Sequence, residues 1–232
     1  MLCERKPLKT EAELIARCRS IEGLTFSQLA SMFGVVLPGN PLQRKGCAGQ
    51  LIEQALGATA GNQSAPDFHE LGVELKTIPI NHLGKPAEST FITTIPLLTV
   101  HQQVWETSQC FSKLKRVLWV PVEGSRDIPF PSRRIGTGMI WSPSAEEERV
   151  LANDWSELTL MIGLGKLSSM DATMGEYLQV RPKAAHAKSL CYGLDEEGNK
   201  IQTLPRGFYL RSRFTAGIIA NFSANNDRLA LT

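Results

Sequence analysis

The segment Arg116-Val117-Leu118-Trp119-Val120-Pro121-Val122 constrains the fold more than any other stretch of the chain. A strand with one face in water alternates apolar and polar residues, whereas a continuous apolar run is the pattern of a strand buried on both faces. The neighbouring patterns mix helix and strand. They set the class as α/β or α+β, with a mixed central sheet flanked by helices. At 232 residues, 42% of them hydrophobic, the chain is long enough to bury a real core.

The other elements are read from caps and periodicity. Thr10-Glu11-Ala12-Glu13 is a capping box that opens a helix with Leu14, Ile15 and Cys18 on one side. Thr25 with Gln28 repeats the signal for a short helix stopped at Gly34. Pro38 to Pro41 reads as a loop, Cys47 to Leu56 as a third helix ended by Gly57, and Gly61 to Pro66 as another loop. From Gly72 to Ile80 the period becomes two, with Glu74, Lys76 and Ile78 on one face. Phe91–Leu98, Met139–Trp141, Tyr177–Arg181 and Phe208–Arg211 read as further strands. Ser144 to Ile162 is a long helix with acids in its first turn, where the helix dipole favours them. Arg213 to Phe222 is a last helix. No repeat or low-complexity segment interrupts the order.

Asp67, Glu74 and Lys76 carry the chemistry. Side chains two apart on a strand point the same way, so Glu74 and Lys76 share a face while Leu75 enters the other layer. Asp67 follows Pro66 at a turn that can bring it alongside. Two carboxylates facing one spot favour a hard cation with oxygen ligands, Mg²⁺ above all, an ion able to activate a phosphodiester toward hydrolysis. The lysine can orient the attacking water or offset transition-state charge. The spacing alone is unselective: with the Asp–Glu gap free over roughly twenty lengths, about one chance match per chain is expected. The other reading is an ordinary amphipathic strand with its polar face in water.

Charge adds little by itself, because the net is only +2. A nucleic-acid surface must therefore come from local clusters. Lys113, Lys115 and Arg116 form one, Arg181, Lys183 and Lys188 a second, and Arg206, Arg211 and Arg213 a third. The five cysteines are scattered without a CxxC pair, which points to free thiols in a reducing cytoplasm. No apolar stretch approaches a membrane span, and the N-terminus has no secretory pattern. His69 and His82 belong to no metal-binding motif and read as surface residues.

The segment Asp67-Phe68-His69-Glu70-Leu71-Gly72-Val73-Glu74-Leu75-Lys76-Thr77-Ile78-Pro79 closely resembles the active-site stretch of the MutH family of DNA mismatch repair endonucleases. Trp105 to Ser108, Leu114 to Gly124, Trp141 to Pro143, Gly175 to Ala185 and Leu204 to Leu210 resemble the family in the same order, so the likeness runs from about residue 10 to 222. It implies one restriction endonuclease-like domain over residues 1–232, with an N-terminal lobe carrying the active site, a C-terminal lobe contributing recognition, and a DNA cleft between them. It implies a Mg²⁺-dependent enzyme that nicks the unmethylated strand of hemimethylated GATC sites, 5′ to the G. Such an enzyme is a monomer, weak alone and activated by the ATPase MutL after MutS finds a mismatch.

Carried over residue by residue, the resemblance makes Asp67 and Glu74 metal ligands and Lys76 the catalytic lysine, with Glu53 and Lys113 as further members of the site. Lys45 and Phe91 match DNA-contacting positions, and Arg181, Pro182 and Lys183 match the base-reading loop, where Arg or Lys can donate to guanine O6 and N7. Tyr209 matches a tyrosine near the adenine whose methylation is sensed. For Phe91 and Tyr209 ordinary strand packing is the competing reading. The chain departs from the family at His186, where Asn is expected, and at Cys47, where a large apolar residue is expected. The stretch His101 to Gln103 and the tail after Phe222 also diverge. Two rival functions stay open: a stand-alone GATC restriction enzyme, which needs two active sites per cut, and a DNA-binding module without catalysis.

Overall fold

This computed structural model describes residues 8–58, 65–184 and 188–229; for 41–43, 45 and 223–229 it describes the backbone alone. In chain order the elements are α1 (Glu11–Arg19), α2 (Phe26–Phe33), α3 (Pro41–Leu56), β1 (Glu74–Ile80), β2 (Thr90–Thr94), α4 (Gln109–Leu114), β3 (Val117–Glu123), β4 (Met139–Trp141), α5 (Ala145–Gly163), β5 (Leu178–Pro182), β6 (Cys191–Leu194), β7 (Lys200–Thr203), β8 (Arg206–Leu210) and α6 (Ser212–Leu229). The α/β class is as expected. His186 and most of the expected Gly61–Pro66 loop lie outside the described residues.

The chain forms two compact units, each discontinuous in sequence. The first comprises Met1–Ala87, Arg116–Ser142 and Ile219–Thr232; the second comprises Glu88–Lys115 and Pro143–Ile218. The first unit holds the mixed sheet in the order β1-β3-β4, with β1 parallel and β4 antiparallel to β3. Six of the seven β3 residues are buried, as its unbroken apolar run requires, and Trp119 is fully enclosed. The buried residues of α1, α2 and α3 pack with Leu75, Leu118 and Val120 into one core.

Local chemistry fixes the helices. Thr10 and Thr25 both close complete capping boxes, and Gly34 ends α2 in the left-handed conformation. The third helix begins at Pro41, six residues before the expected start at Cys47. Proline presets φ for a first helical residue and has no N–H to leave unpaired, so it starts a helix as readily as it ends a loop. Cys47 is half-buried against the core, which accommodates a small thiol where a large side chain was expected.

The second unit holds an antiparallel sheet in the order β2-β8-β5, a separate β6-β7 hairpin, and α4 and α5. The expected strand Phe91–Leu98 stops at Thr94, because Pro96 cannot donate to a ladder. Ser144 caps α5 through a further capping box. The last helix runs to Leu229, past its expected end at Phe222.

Candidate active site

The spacing of Asp67 and Glu74 has a geometric cause. Phe68 and Val73 pair across a tight loop: the Phe68 N–H donates to the Val73 carbonyl at 2.9 Å, and the Val73 N–H to the Phe68 carbonyl at 3.3 Å. Between them lies one 3-10 turn, His69–Leu71, closed by Gly72 at φ +64°. Glycine occupies this left-handed conformation without the Cβ strain of other residues. The loop brings Asp67 back to the start of β1, where its Oδ2 accepts the Leu75 N–H at 2.8 Å. His69 and His82 are exposed, as expected.

Glu74 and Lys76 share a face, and Lys76 Nζ donates to Glu74 Oε1 at 2.7 Å. Their side chains are 2% and 14% exposed. A carboxylate this far from water must be paired and hydrogen-bonded, and the ammonium beside it does both. The other face of β1 packs Leu75 into the helical core, which holds the strand, and so the pair, rigidly.

Glu53 sits half-buried on α3 between Ile52 and Ala55, both fully enclosed. Its carboxylate and the Thr77 hydroxyl converge over Gly49, where an added Cβ would lie 3.8 Å from Glu53 Oε1 and 3.9 Å from Thr77 Oγ1. Among the described residues no three His, Cys, Asp or Glu side chains stand close enough to enclose an ion. Asp67, just before β1, and Glu74, its first residue, are joined through the Leu75 N–H and offer two carboxylates at the start of the strand. Mg²⁺ ordinarily keeps several waters and takes one or two carboxylates plus substrate phosphate. A two-carboxylate set fits that ion and does not fit one that needs a full protein cage. Lys113 lies in the last turn of α4, in the second unit; Lys45 lies in α3 and its side chain is outside the described residues.

The second unit brings Phe91, Arg181, Lys183 and Tyr209 together on its antiparallel sheet. Phe91 faces Tyr209 across β2 and β8, their rings edge-on at 5.3 Å, and Gln179 of β5 flanks Tyr209 on the other side. A register shift between Phe91 and Thr93 explains the orientation. Ile92 and Thr93 are both buried, so the bulge turns Phe91 to the outer face. Lys183 Nζ lies 4.4 Å from the centroid of the Phe91 ring, a cation–π contact. Arg181 donates to the Ser89 hydroxyl at 2.9 Å. Arg181, Pro182 and Lys183 are exposed, while Phe208 is 2% exposed, so of the pair Phe208–Tyr209 only Tyr209 is presented outward. Burial pushes the Tyr209 phenol above its ordinary pKa; the Arg181 guanidinium draws it down and the Glu88 carboxylate adds to the rise.

The three basic clusters separate by role. Arg211 donates to the Met174 and Gly175 carbonyls at 2.8 and 2.9 Å, and Arg213 to the Glu176 carbonyl at 2.9 Å, so these two members of the third cluster hold backbone. Arg116 pairs with Glu11 in the first unit, Nε donating to Oε1 at 2.8 Å. The second cluster presents its Arg181 and Lys183 outward. Sequence reasoning missed Ser89, which has no pattern linking it to Arg181. It also missed Asp154, whose signal was an acid between Leu151 and Trp155 on the apolar face of α5.

Comparison with known proteins gives the family of the chain. The family model described as "DNA mismatch repair enzyme MutH" matches residues 56–154. The DNA mismatch repair protein MutH of Vibrio campbellii is 50% identical over 217 residues, covering 94% of this chain and 96% of that protein. Its counterpart in Escherichia coli (strain K12 / DH10B) is 49% identical over 214 residues, covering 92% and 93%. Identity at this level along almost the whole of both chains shows that the chain belongs to the MutH family of DNA mismatch repair enzymes.

Proposed function

We propose that the chain is a Mg²⁺-dependent endonuclease that nicks the unmethylated strand of hemimethylated GATC sites, 5′ to the G, in methyl-directed mismatch repair. It works in the cytoplasm as a monomer within a single restriction endonuclease-like domain, activated by MutL after MutS has found a mismatch. The observation that carries this reading is that Asp67 is held on the Leu75 N–H, between Glu74 and Lys76, whose buried side chains pair on one face of β1. Asp67 and Glu74 would hold the ion, which when bound supplies Lewis acidity toward the scissile phosphate. Lys76 orients the attacking water or offsets charge on the phosphorane-like transition state. Glu53 and Lys113 add acid and base to the same chemistry. Arg181, Pro182, Lys183, Phe91 and Tyr209 contact DNA from the β2-β8-β5 side of the second unit, and Lys45 contacts it from α3 of the first.

Strand-resolved cleavage of one hemimethylated GATC duplex tests it. With Mg²⁺, only the unmethylated strand should be cut, and EDTA should stop the reaction. Cleavage of both strands would make the chain a restriction enzyme. Tight binding with no cut under any divalent ion would make it a binding module.

A further inference from the structure

Asp154 lies on the inner face of α5 and is 6% exposed. Its carboxylate accepts three consecutive backbone N–H groups, from Glu176 at 2.8 Å, Tyr177 at 2.7 Å and Leu178 at 2.8 Å. The carbonyls of the same segment are held from elsewhere. Arg211 takes Met174 and Gly175 through its guanidinium and Tyr177 through its backbone N–H at 2.9 Å, and Arg213 takes Glu176. Gly175, at φ +80°, turns the chain so tightly that an added Cβ would run into the Leu178 carbonyl. Residues 174–178 are thus clamped from both sides, donors by one carboxylate and acceptors by two guanidinium groups.

The clamp sits at the entrance of β5, and among the described residues β5 is an edge strand whose ladder partner is β8. An edge strand is bonded along one side only, so a single ladder and whatever holds its ends fix its register. Three residues after Leu178 comes Arg181, paired opposite Gly207; Pro182 lies opposite Arg206, and the Lys183 N–H then donates to the Pro205 carbonyl at 2.7 Å. A one-residue slip would turn Arg181 to the other face and carry Lys183 off the Phe91 ring. Bonds to an ionised carboxylate are about twice as strong as neutral ones, and three of them converge on one buried group.

We infer that Asp154 is a positioning residue for sequence discrimination: it fixes the register of β5 and thereby the places of Arg181 and Lys183. This rests on the reading of the second unit as the DNA-reading surface. Asp154→Asn removes the charge at constant size. It should speed amide hydrogen exchange from Glu176 through Lys183 by about tenfold or more, and should lower the ratio of nicking rates on GATC over single-base variants by about tenfold, the scale of one misplaced base contact. Leu158→Ala, a buried change on the same helix, matched to it in melting temperature, should alter neither. Unchanged exchange in Asp154→Asn, or the same double effect from Leu158→Ala, overturns the inference. If Asp154→Asn does not fold, Arg211→Gln opens the clamp from its carbonyl side and should give the same pair of changes; wild-type exchange there also overturns it. A wild-type chain with no preference for GATC would remove the functional reading, while the exchange data would still decide what Asp154 does.

Discussion

Leu75 presents its N–H to Asp67 while its neighbours Glu74 and Lys76 pair on one face of β1, so the site depends on one backbone group as much as on three side chains. Asn at position 67 can still accept that N–H. Asp67→Asn should therefore cost less than about 1 kcal/mol of stability, the scale of one hydrogen bond, yet reduce nicking by about 10²- to 10³-fold, the scale of a lost electrostatic contact to the transition state. Thermal melting and plasmid nicking check the two halves, and nicking within tenfold of wild type would remove Asp67 from the site. Tyr209 is the outward member of its strand pair, and a methyl on adenine N6 projects into the groove where base edges are read. Tyr209→Ser should narrow the gap in nicking rate between unmethylated and fully methylated GATC, measured on matched duplexes; an unchanged ratio assigns the ring to packing against Phe91. The shared face of Glu74 and Lys76 was legible because strand alternation is visible in sequence. The loop that returns Asp67 was legible only as a turn after Pro66, since its closure depends on the Phe68–Val73 pairing.

Elements were legible where their signals are local. The capping boxes at Thr10 and Thr25 put α1 and α2 where expected, and the apolar run at Val117 gave β3 within a residue. The β6-β7 hairpin was missed because its strands are short and half polar and its turn, Asp195 to Asn199, looks like a surface acidic run. The helix α4 was missed because six residues carry too little periodicity. The β2 bulge was invisible because one inserted residue shifts the period and only the partner strand reveals it. It matters here, since it presents Phe91 beneath Lys183. Lys183→Ala should reduce discrimination between GATC and its single-base variants by about 1–3 kcal/mol, the worth of one bidentate base contact. Competition binding on a panel of duplexes measures it. Equal weakening on every sequence would make Lys183 a phosphate contact.

At the scale of the whole molecule, no described helix is long and apolar enough to cross a membrane. Nicking of one strand by one site predicts a monomer by sedimentation that acts slowly alone and faster with MutL and ATP. Double-strand breaks by the pure protein at low concentration would contradict it. The apolar run foretold a layered α/β fold, but not that the strands would part into separate sheets, because that partition is made by pairings distant in sequence. Those pairings also order the chain's emergence from the ribosome. β1, β3 and β4 have all appeared by Trp141, whereas β2 must wait for β8, which ends at Leu210. Pairing strands so far apart is slow, and the N-terminal part of a nascent chain folds first. A half-made molecule would therefore hold Asp67 and Glu74 on a finished sheet before β2 has a partner, and stalling of translation between those points would leave the bulged strand at Phe91 as an open edge for other chains to pair with.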